Sequence, residues 1–339
     1  MVDVLRDAVR CFIKPPALQL KSTLLNNLQA KEYVEAFLSH CVRPFSCLLL
    51  TSGHNRARQR DKLAHLLEEL AGLQDEADKV DAFLHNLSMK SENPCPHLAC
   101  FGHWILYHTL RVMIQYVLSG FELELYSTHE YTYIFWYLYE FLYGWMVSAL
   151  SRADNFLLEQ EARCEQQQQK NRNAKKNKKK RKTRPHGREI LLNQAFQNLC
   201  GGYYKAVAGF NLEGKLKRPC QEFDNEQVRY EHRFSPFNSV LTPPPVQYAQ
   251  FKEMTDLSRF VPKPSVEELY LDSCKCFQHA RMLIESVPDH NEEITAIMKV
   301  AKTNFVVMKL LLSGHKKQSK DPPDFDFSTH KNFPIIRIV

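Results

Sequence analysis

Tyr131-Thr132-Tyr133-Ile134-Phe135-Trp136-Tyr137-Leu138-Tyr139-Glu140-Phe141-Leu142-Tyr143-Gly144-Trp145-Met146-Val147-Ser148-Ala149-Leu150 is twenty residues long and almost wholly apolar or aromatic. Its length alone would allow a membrane span. Two features argue otherwise. Glu140 sits in the middle, and tyrosines at 131, 133, 137, 139 and 143 are spread along the run, not gathered at its ends where interfacial belts lie. The preceding apolar segment also carries Arg111 and Gln115. The stretch therefore reads as the central helix of a helical bundle, buried nearly all round.

Working outward, the pattern predicts a mainly α protein. Eleven glycines in 339 residues is about half the usual share, which disfavours glycine-dependent dinucleotide, P-loop and β-rich folds. Val4 to Phe12, Leu18 to Ala30 and Glu32 to Cys41 read as helical pieces, with stops at Pro15-Pro16 and Pro44, and Phe45 to Thr51 as an apolar run of open type. Asp61 to Leu87 follows the i, i+3, i+4, i+7 template, with a bend or break near Gly72. Two very apolar helices follow at about 98 to 119 and 128 to 158, the second continuing into a polar stretch. Glu189 to Phe210 reads as helix interrupted at Gly201-Gly202. Residues 211–264 are rich in proline and aromatics, which predicts an extended but packed connection. Ser265 with Glu268 forms a capping-box pattern, Pro288-Asp289 a turn, and Asn291 to Leu312 a return helix, together an αα-hairpin. Phe325 to Val339 suggests one short strand, and no fixed-period repeat is visible. The expected organisation is a helical domain over 1–165, a basic disordered loop over 166–188, and a second helical domain over 189–339 containing the extended segment 211–264 and the hairpin 265–313.

From Lys170 to Arg188 there are eleven Lys/Arg and no acid. Without those eleven, 34 of the 45 basic residues remain against 38 acidic ones, and the net +7 becomes −4. The basic character belongs to one arm on a near-neutral body. Three readings stand for it: electrostatic contact with RNA through Lys175, Lys176, Lys178, Lys179, Lys180, Arg181, Lys182 and Arg184; a nuclear-import signal; and a solvated loop. Its lack of aromatics argues against base stacking and sequence preference.

Chemistry-bearing motifs are sparse. There is no G-x-S-x-G, P-loop or G-x-G-x-x-G, and no catalytic or cofactor-binding residue is assigned. Cys95, His97, Cys100 and His103 are zinc-competent types, but their spacing is too compressed for paired ligand halves. Cys274, Cys276 and His279 are weaker still, because neighbours two apart on a helix face different ways. The ten cysteines read as reduced thiols of a cytosolic or nuclear protein. The opening residues carry charge where a signal sequence would be apolar, and the chain reads as a piece of a longer protein.

Arg229-Tyr230-Glu231-His232-Arg233-Phe234-Ser235-Pro236-Phe237, then Leu241-Thr242-Pro243-Pro244 and Tyr248-Ala249-Gln250-Phe251, resemble the C-terminal region of the large auxiliary subunit of N-terminal acetyltransferase C, NatC. The aromatic run from Tyr131 to Glu140 and the basic arm fit the animal members, and the resemblance extends over the whole chain. It implies half of a helical, non-catalytic cytoplasmic scaffold, with a nuclear pool if the arm acts in import. It also implies two partners, an acetyl-CoA-dependent catalytic subunit of the GNAT fold and a small Sm-like subunit. The complex acetylates nascent N-termini that begin with Met and a bulky hydrophobic residue, near the ribosome, which makes ribosomal RNA a candidate contact of the arm. The residues agree on the non-catalytic role. The nearest approach to a GNAT pyrophosphate turn, Gln197-Asn198-Leu199-Cys200-Gly201-Gly202, has Cys where the first glycine must be and lies in a helical stretch. The alternatives are a nuclear or RNA-associated helical adaptor, an enzyme with an unrecognised site, and a membrane protein.

Overall fold

The fold comes from a computed structural model, which describes residues 27–51, 72–87, 101–122, 131–170, 186–216, 264–315 and 321–338, with Lys90, Tyr126, Thr128 and Arg184. Helix α1, Leu28–Thr51, opens where the Asn27 side chain accepts the Ala30 N–H at 3.0 Å. Its buried stripe is Ala30, Val34, Phe37 and Cys41. The helix is continuous from Leu28 through Pro44, where the sequence predicted separate pieces and a stop. A proline costs one backbone hydrogen bond, about 3 kcal/mol, and a flank of good helix formers such as Leu48-Leu49-Leu50 tolerates it.

Helix α2 is described over residues 72–87 and α3 over Phe101–Glu122. The central run forms α4, Tyr131–Tyr137, a π-turn, Leu138–Leu142, and α5, Tyr143–Lys170. The sequence placed one regular helix here, continuing into the polar stretch after residue 158, and carried no sign of the π-turn. The π-turn widens the helix, with the Tyr143 N–H bonding back to the Leu138 carbonyl. No described helix is long and apolar enough to cross a membrane.

Helix α6, Gly187–Leu212, passes unbroken through Gly201-Gly202. The expected interruption is absent because these glycines make room for aromatic rings. A Cβ at Gly201 would stand 2.8 Å from the Tyr139 ring, and one at Gly202 2.7 Å from Phe277. Helices α7, Val266–Glu285, and α8, Glu292–Leu312, form the predicted αα-hairpin. Ser265 and Glu268 complete the capping box, and Asn291 caps α8 through the Ile294 N–H. Asp289 takes positive φ in the turn between them. Two strands, not one, close the chain: β1, Asp324–Asp326, pairs antiparallel with β2, Ile335–Arg337, with Phe325 opposite Ile336.

The chain divides into two units interleaved along the sequence. The first comprises residues 1–45, 68–113 and 145–190, and the second residues 46–67, 114–144 and 191–339. The first is built on aliphatic stripes, with Leu73, Ala77, Val80 and Leu84 of α2 and Ile105, Leu106 and Leu110 of α3 buried. The second has an aromatic column: Phe121 stacks on Phe135 at 5.0 Å, Phe135 on Tyr203 at 4.5 Å, and Phe277 meets Tyr203 edge-on at 5.2 Å. The Pro-rich segment, the helical pieces before residue 27, and the first turns of the Asp61–Leu87 helix lie outside the described residues.

Candidate functional site

Of the arm residues singled out by sequence, Lys175, Lys176, Lys178, Lys179, Lys180, Arg181 and Lys182 lie outside the described residues, and Arg184 is exposed. What the structure supplies is the arm's root. The arm leaves from the end of α5 at Lys170 and re-enters at His186, which opens α6. Asp154 of α5 is fully buried, and its Oδ1 accepts the His186 N–H at 3.0 Å. The Arg184 carbonyl accepts the Gly187 N–H at 3.2 Å, closing the turn. The first turn of α6 is thus pinned to α5 by a carboxylate that satisfies an otherwise orphan N–H. Lys170 is sixteen residues beyond Asp154 on the same helix, about 24 Å along its axis. The intervening chain is long enough to span that gap. The charged run thus starts at the end of α5 and finishes in the first turn of α6.

A second polar centre, missed by sequence reasoning, lies between α2 and α3. Asp81, on α2, caps α3 from outside that helix: Oδ1 accepts the Gly102 N–H at 2.6 Å and Oδ2 the His103 N–H at 3.1 Å. His103 Nδ1 lies 2.6 Å from the same carboxylate, and Nε2 stands 3.2 Å from Asp78, which also pairs with Arg152. Burial raises the Asp81 pKa above the usual carboxylate value, opposed by the His103 and backbone hydrogen bonds. His103 is thus engaged in a helix crossing. Its candidate zinc partners Cys95, His97 and Cys100 lie outside the described residues. Cys274 contacts the Phe305 carbonyl at 4.0 Å, Cys276 lies 3.5 Å from Lys205 Nζ, and His279 is exposed, so the three do not converge. Among the described residues no group of three or more His, Cys, Asp or Glu could hold a metal ion.

One turn along α3, His108 packs edge-on to Trp104 and Tyr107. Burial, helped by Arg111, lowers its pKa from 6.5 to about 4. The folded value lies below the unfolded one, so protonation favours unfolding. The contribution is intact above pH 6.5 and is lost as pH falls toward 4. Urea unfolding at pH 7 and pH 4.5 should show a fall that His108→Gln reduces by about 1 kcal/mol, the partial exposure of the ring screening the effect. An identical fall in the variant would remove His108 as its source.

The Gln197–Gly202 stretch offers no acyl-CoA turn. It lies inside α6, and Gln197 Nε2 donates to the Tyr139 carbonyl in the π-turn at 3.1 Å. In the second unit Asn304, fully buried on α8, donates to the Tyr203 hydroxyl at 2.9 Å and the Pro334 carbonyl at 3.0 Å, and accepts the Ile336 N–H at 2.8 Å. One side-chain amide reads the carbonyl just before β2 and an N–H within it, as a neighbouring strand would.

This chain is similar to proteins named N-alpha-acetyltransferase 35, NatC auxiliary subunit. It is 59% identical to that of Rattus norvegicus, 60% to that of Gallus gallus and 58% to that of Homo sapiens. Each match covers all 339 residues and 47% of the relative. The chain thus spans about half the length of the curated relatives it matches. Chains in the crystal structures of the apo NatC complex and of the NatC complex bound to CoA share its fold, each with TM-score 0.50 and 17% identity over 89% of this chain and 47% of theirs. The family model described as "NAA35-like, TPR repeats" matches residues 1–336. The hairpin from Val266 to Leu312 is longer than the TPR unit of about 34 residues, in keeping with the lack of a legible fixed period in this sequence. With the family model covering nearly its entire length, the chain belongs to the NAA35-like family.

Proposed function

We propose that this chain serves as part of the non-catalytic scaffold of a NatC-type N-terminal acetyltransferase, working with a separate GNAT-fold catalytic subunit and a small Sm-like subunit. The observation that carries this is identity of 58 to 60% along all 339 residues to proteins named as NatC auxiliary subunits. The helical build and the burial of Gly201 and Gly202 under aromatic rings, where an acyl-CoA turn would need open backbone N–H groups, support a role without acetyl-CoA chemistry in this chain. Affinity purification of the tagged chain from its own cells tests the reading. Recovery of a GNAT-fold acetyltransferase at one-to-one stoichiometry is the expected result. Its absence from this chain, with recovery on a full-length relative, would assign docking to the other half.

Within that scaffold the basic arm is proposed to hold the complex near ribosomal RNA. Eleven basic residues without an acid, and without aromatics for base stacking, suit phosphate contacts that carry no sequence preference. Converting Lys178, Lys179, Lys180, Arg181 and Lys182 to Gln should lower ribosome co-sedimentation at least tenfold at low salt. The log–log salt slope should fall by about 4. Unchanged co-sedimentation would remove the tether, and loss of a nuclear pool instead would identify an import signal.

A further inference from the structure

From Ile294 to Lys320 the chain carries six lysines and no Asp or Glu, a second acid-free basic stretch beside the arm. Three of the six, Lys299, Lys302 and Lys309, lie in α8 and are exposed. Among the described residues Lys299 and Lys302 have no ion-pair partner, and Lys309 lies over the Phe305 ring.

The contact of Cys274 with the Phe305 carbonyl sets the register of the two antiparallel helices. At 100° per residue, Leu271, Lys275 and Met282 turn to one side of that contact on α7, and Lys302, Val306 and Lys309 turn to the same side on α8. Leu310 and Lys299 lie at its outer edge. The opposite side is buried: Ser273 and Phe277 meet Gly202, and Asn304 meets Tyr203. The outward side mixes these lysines with exposed apolar residues. Leu271, Met282, Val306 and Leu310 are 46, 56, 46 and 44% exposed, and they make up half of the eight exposed large hydrophobics among the described residues. Such a concentration marks a contact surface.

We infer that this face of the α7–α8 hairpin docks an amphipathic helix of a partner protein, with its apolar stripe on Leu271, Met282 and Val306 and acidic residues on its flanks facing the lysines. The chemistry selects this occupant. A second copy that laid α8 on α8 would set lysines against lysines. A phosphate backbone gains nothing from Leu, Met and Val at the centre, and no aromatic residue of the α7–α8 hairpin is exposed for stacking. A membrane surface calls for a broader apolar face with aromatic residues. The span from Leu271 to Met282, about 16 Å, matches three turns of helix lying along the shallow valley between the pair. The inference goes beyond the scaffold reading and does not depend on which complex the chain joins.

The test places photoreactive p-benzoylphenylalanine at Val306, and separately at Leu271, in the full chain in its own cells, and sequences the crosslinked peptides. The expected product is a peptide with apolar residues at helical spacing and at least three Asp or Glu beside them. Its yield should fall at least fivefold in Lys302→Glu/Lys309→Glu. That variant should melt within about 2 °C of the parent, because the substituted side chains are exposed. No crosslink, a crosslink to RNA or lipid, a peptide lacking acids, or an undiminished yield in the double variant would each overturn the inference. Co-purification of an acetyltransferase is read separately, so failure of one proposal leaves the other standing.

Discussion

Asn304→Ala is expected to destabilise the second unit by about 3 kcal/mol and to release the terminal strand. The Asn304 amide is fully buried and makes three hydrogen bonds, to the Tyr203 hydroxyl, the Pro334 carbonyl and the Ile336 N–H. Alanine leaves the Ile336 N–H without its acceptor inside protein, and Ile336 is itself fully buried. Each orphaned buried group costs about 1–3 kcal/mol, and the vacated amide volume adds a smaller cavity cost. Tyr203 retains its bond to Pro334, so the aromatic column should persist while the strand pair loosens. Hydrogen exchange at the Ile336 amide is the direct reading, because about 3 kcal/mol corresponds to exchange faster by about a hundredfold. Asn304→Asp separates the parts of the interaction. It keeps an acceptor for Ile336 but loses both donors and buries a carboxylate, so it should be worse than alanine at neutral pH and recover on acidification. Unchanged exchange in Asn304→Ala would mean that strand pairing alone holds the tail.

What was legible in the sequence was local. The Ser265–Glu268 capping box and the turn at Pro288-Asp289 each depend on residues within one turn of one another, and the hairpin followed from them. On α8 hydrophobicity alone does not mark the core: Met298, Phe305 and Leu312 are only half-buried, and the buried line runs through Val300, Ala301, Asn304 and Leu311. Asn304 was invisible because a lone Asn in a helix ordinarily faces water, and its partners lie about thirty and a hundred residues away. Gly201-Gly202 read as a helix break because a glycine's propensity is local, whereas its reason here, the Tyr139 and Phe277 rings, is tertiary. Asp81 carried no signal at all. A cap from another helix leaves no sequence spacing to find. The arm was legible as charge, yet its root at Asp154 and His186 was not, for the same reason. The lysines of α8 were overshadowed by the denser run before them, and only the helix geometry gathers them on one side with the exposed apolar residues.

Gly102→Ala should be the most damaging single methyl in the first unit, with an expected cost of about 3–5 kcal/mol. A Cβ there would stand 2.5 Å from the Ala77 carbonyl oxygen and 2.9 Å from the Ala77 Cα, both backbone atoms of α2, so no side chain can swing aside. The helices must separate. Separation stretches the bonds from Asp81 to the Gly102 and His103 N–H groups, and with them the contact between Asp81 and the His103 ring. Overpacking accounts for about 1–3 kcal/mol and the lost cap for about 1–2 more. The cost should fall unevenly. Exchange should quicken in residues 72–87 and 101–113, while residues 266–312, in the other unit, keep their protection. Gly72→Ala is the control, because nothing lies within 4 Å of its Cβ and helix propensity then favours alanine by about 0.5–1 kcal/mol. If Gly102→Ala were as mild as Gly72→Ala, the close crossing would not be what holds α2 against α3. If Asp81→Asn, which preserves the shape and one acceptor, matched the damage of Gly102→Ala, the carboxylate and not the close approach would be the dominant element.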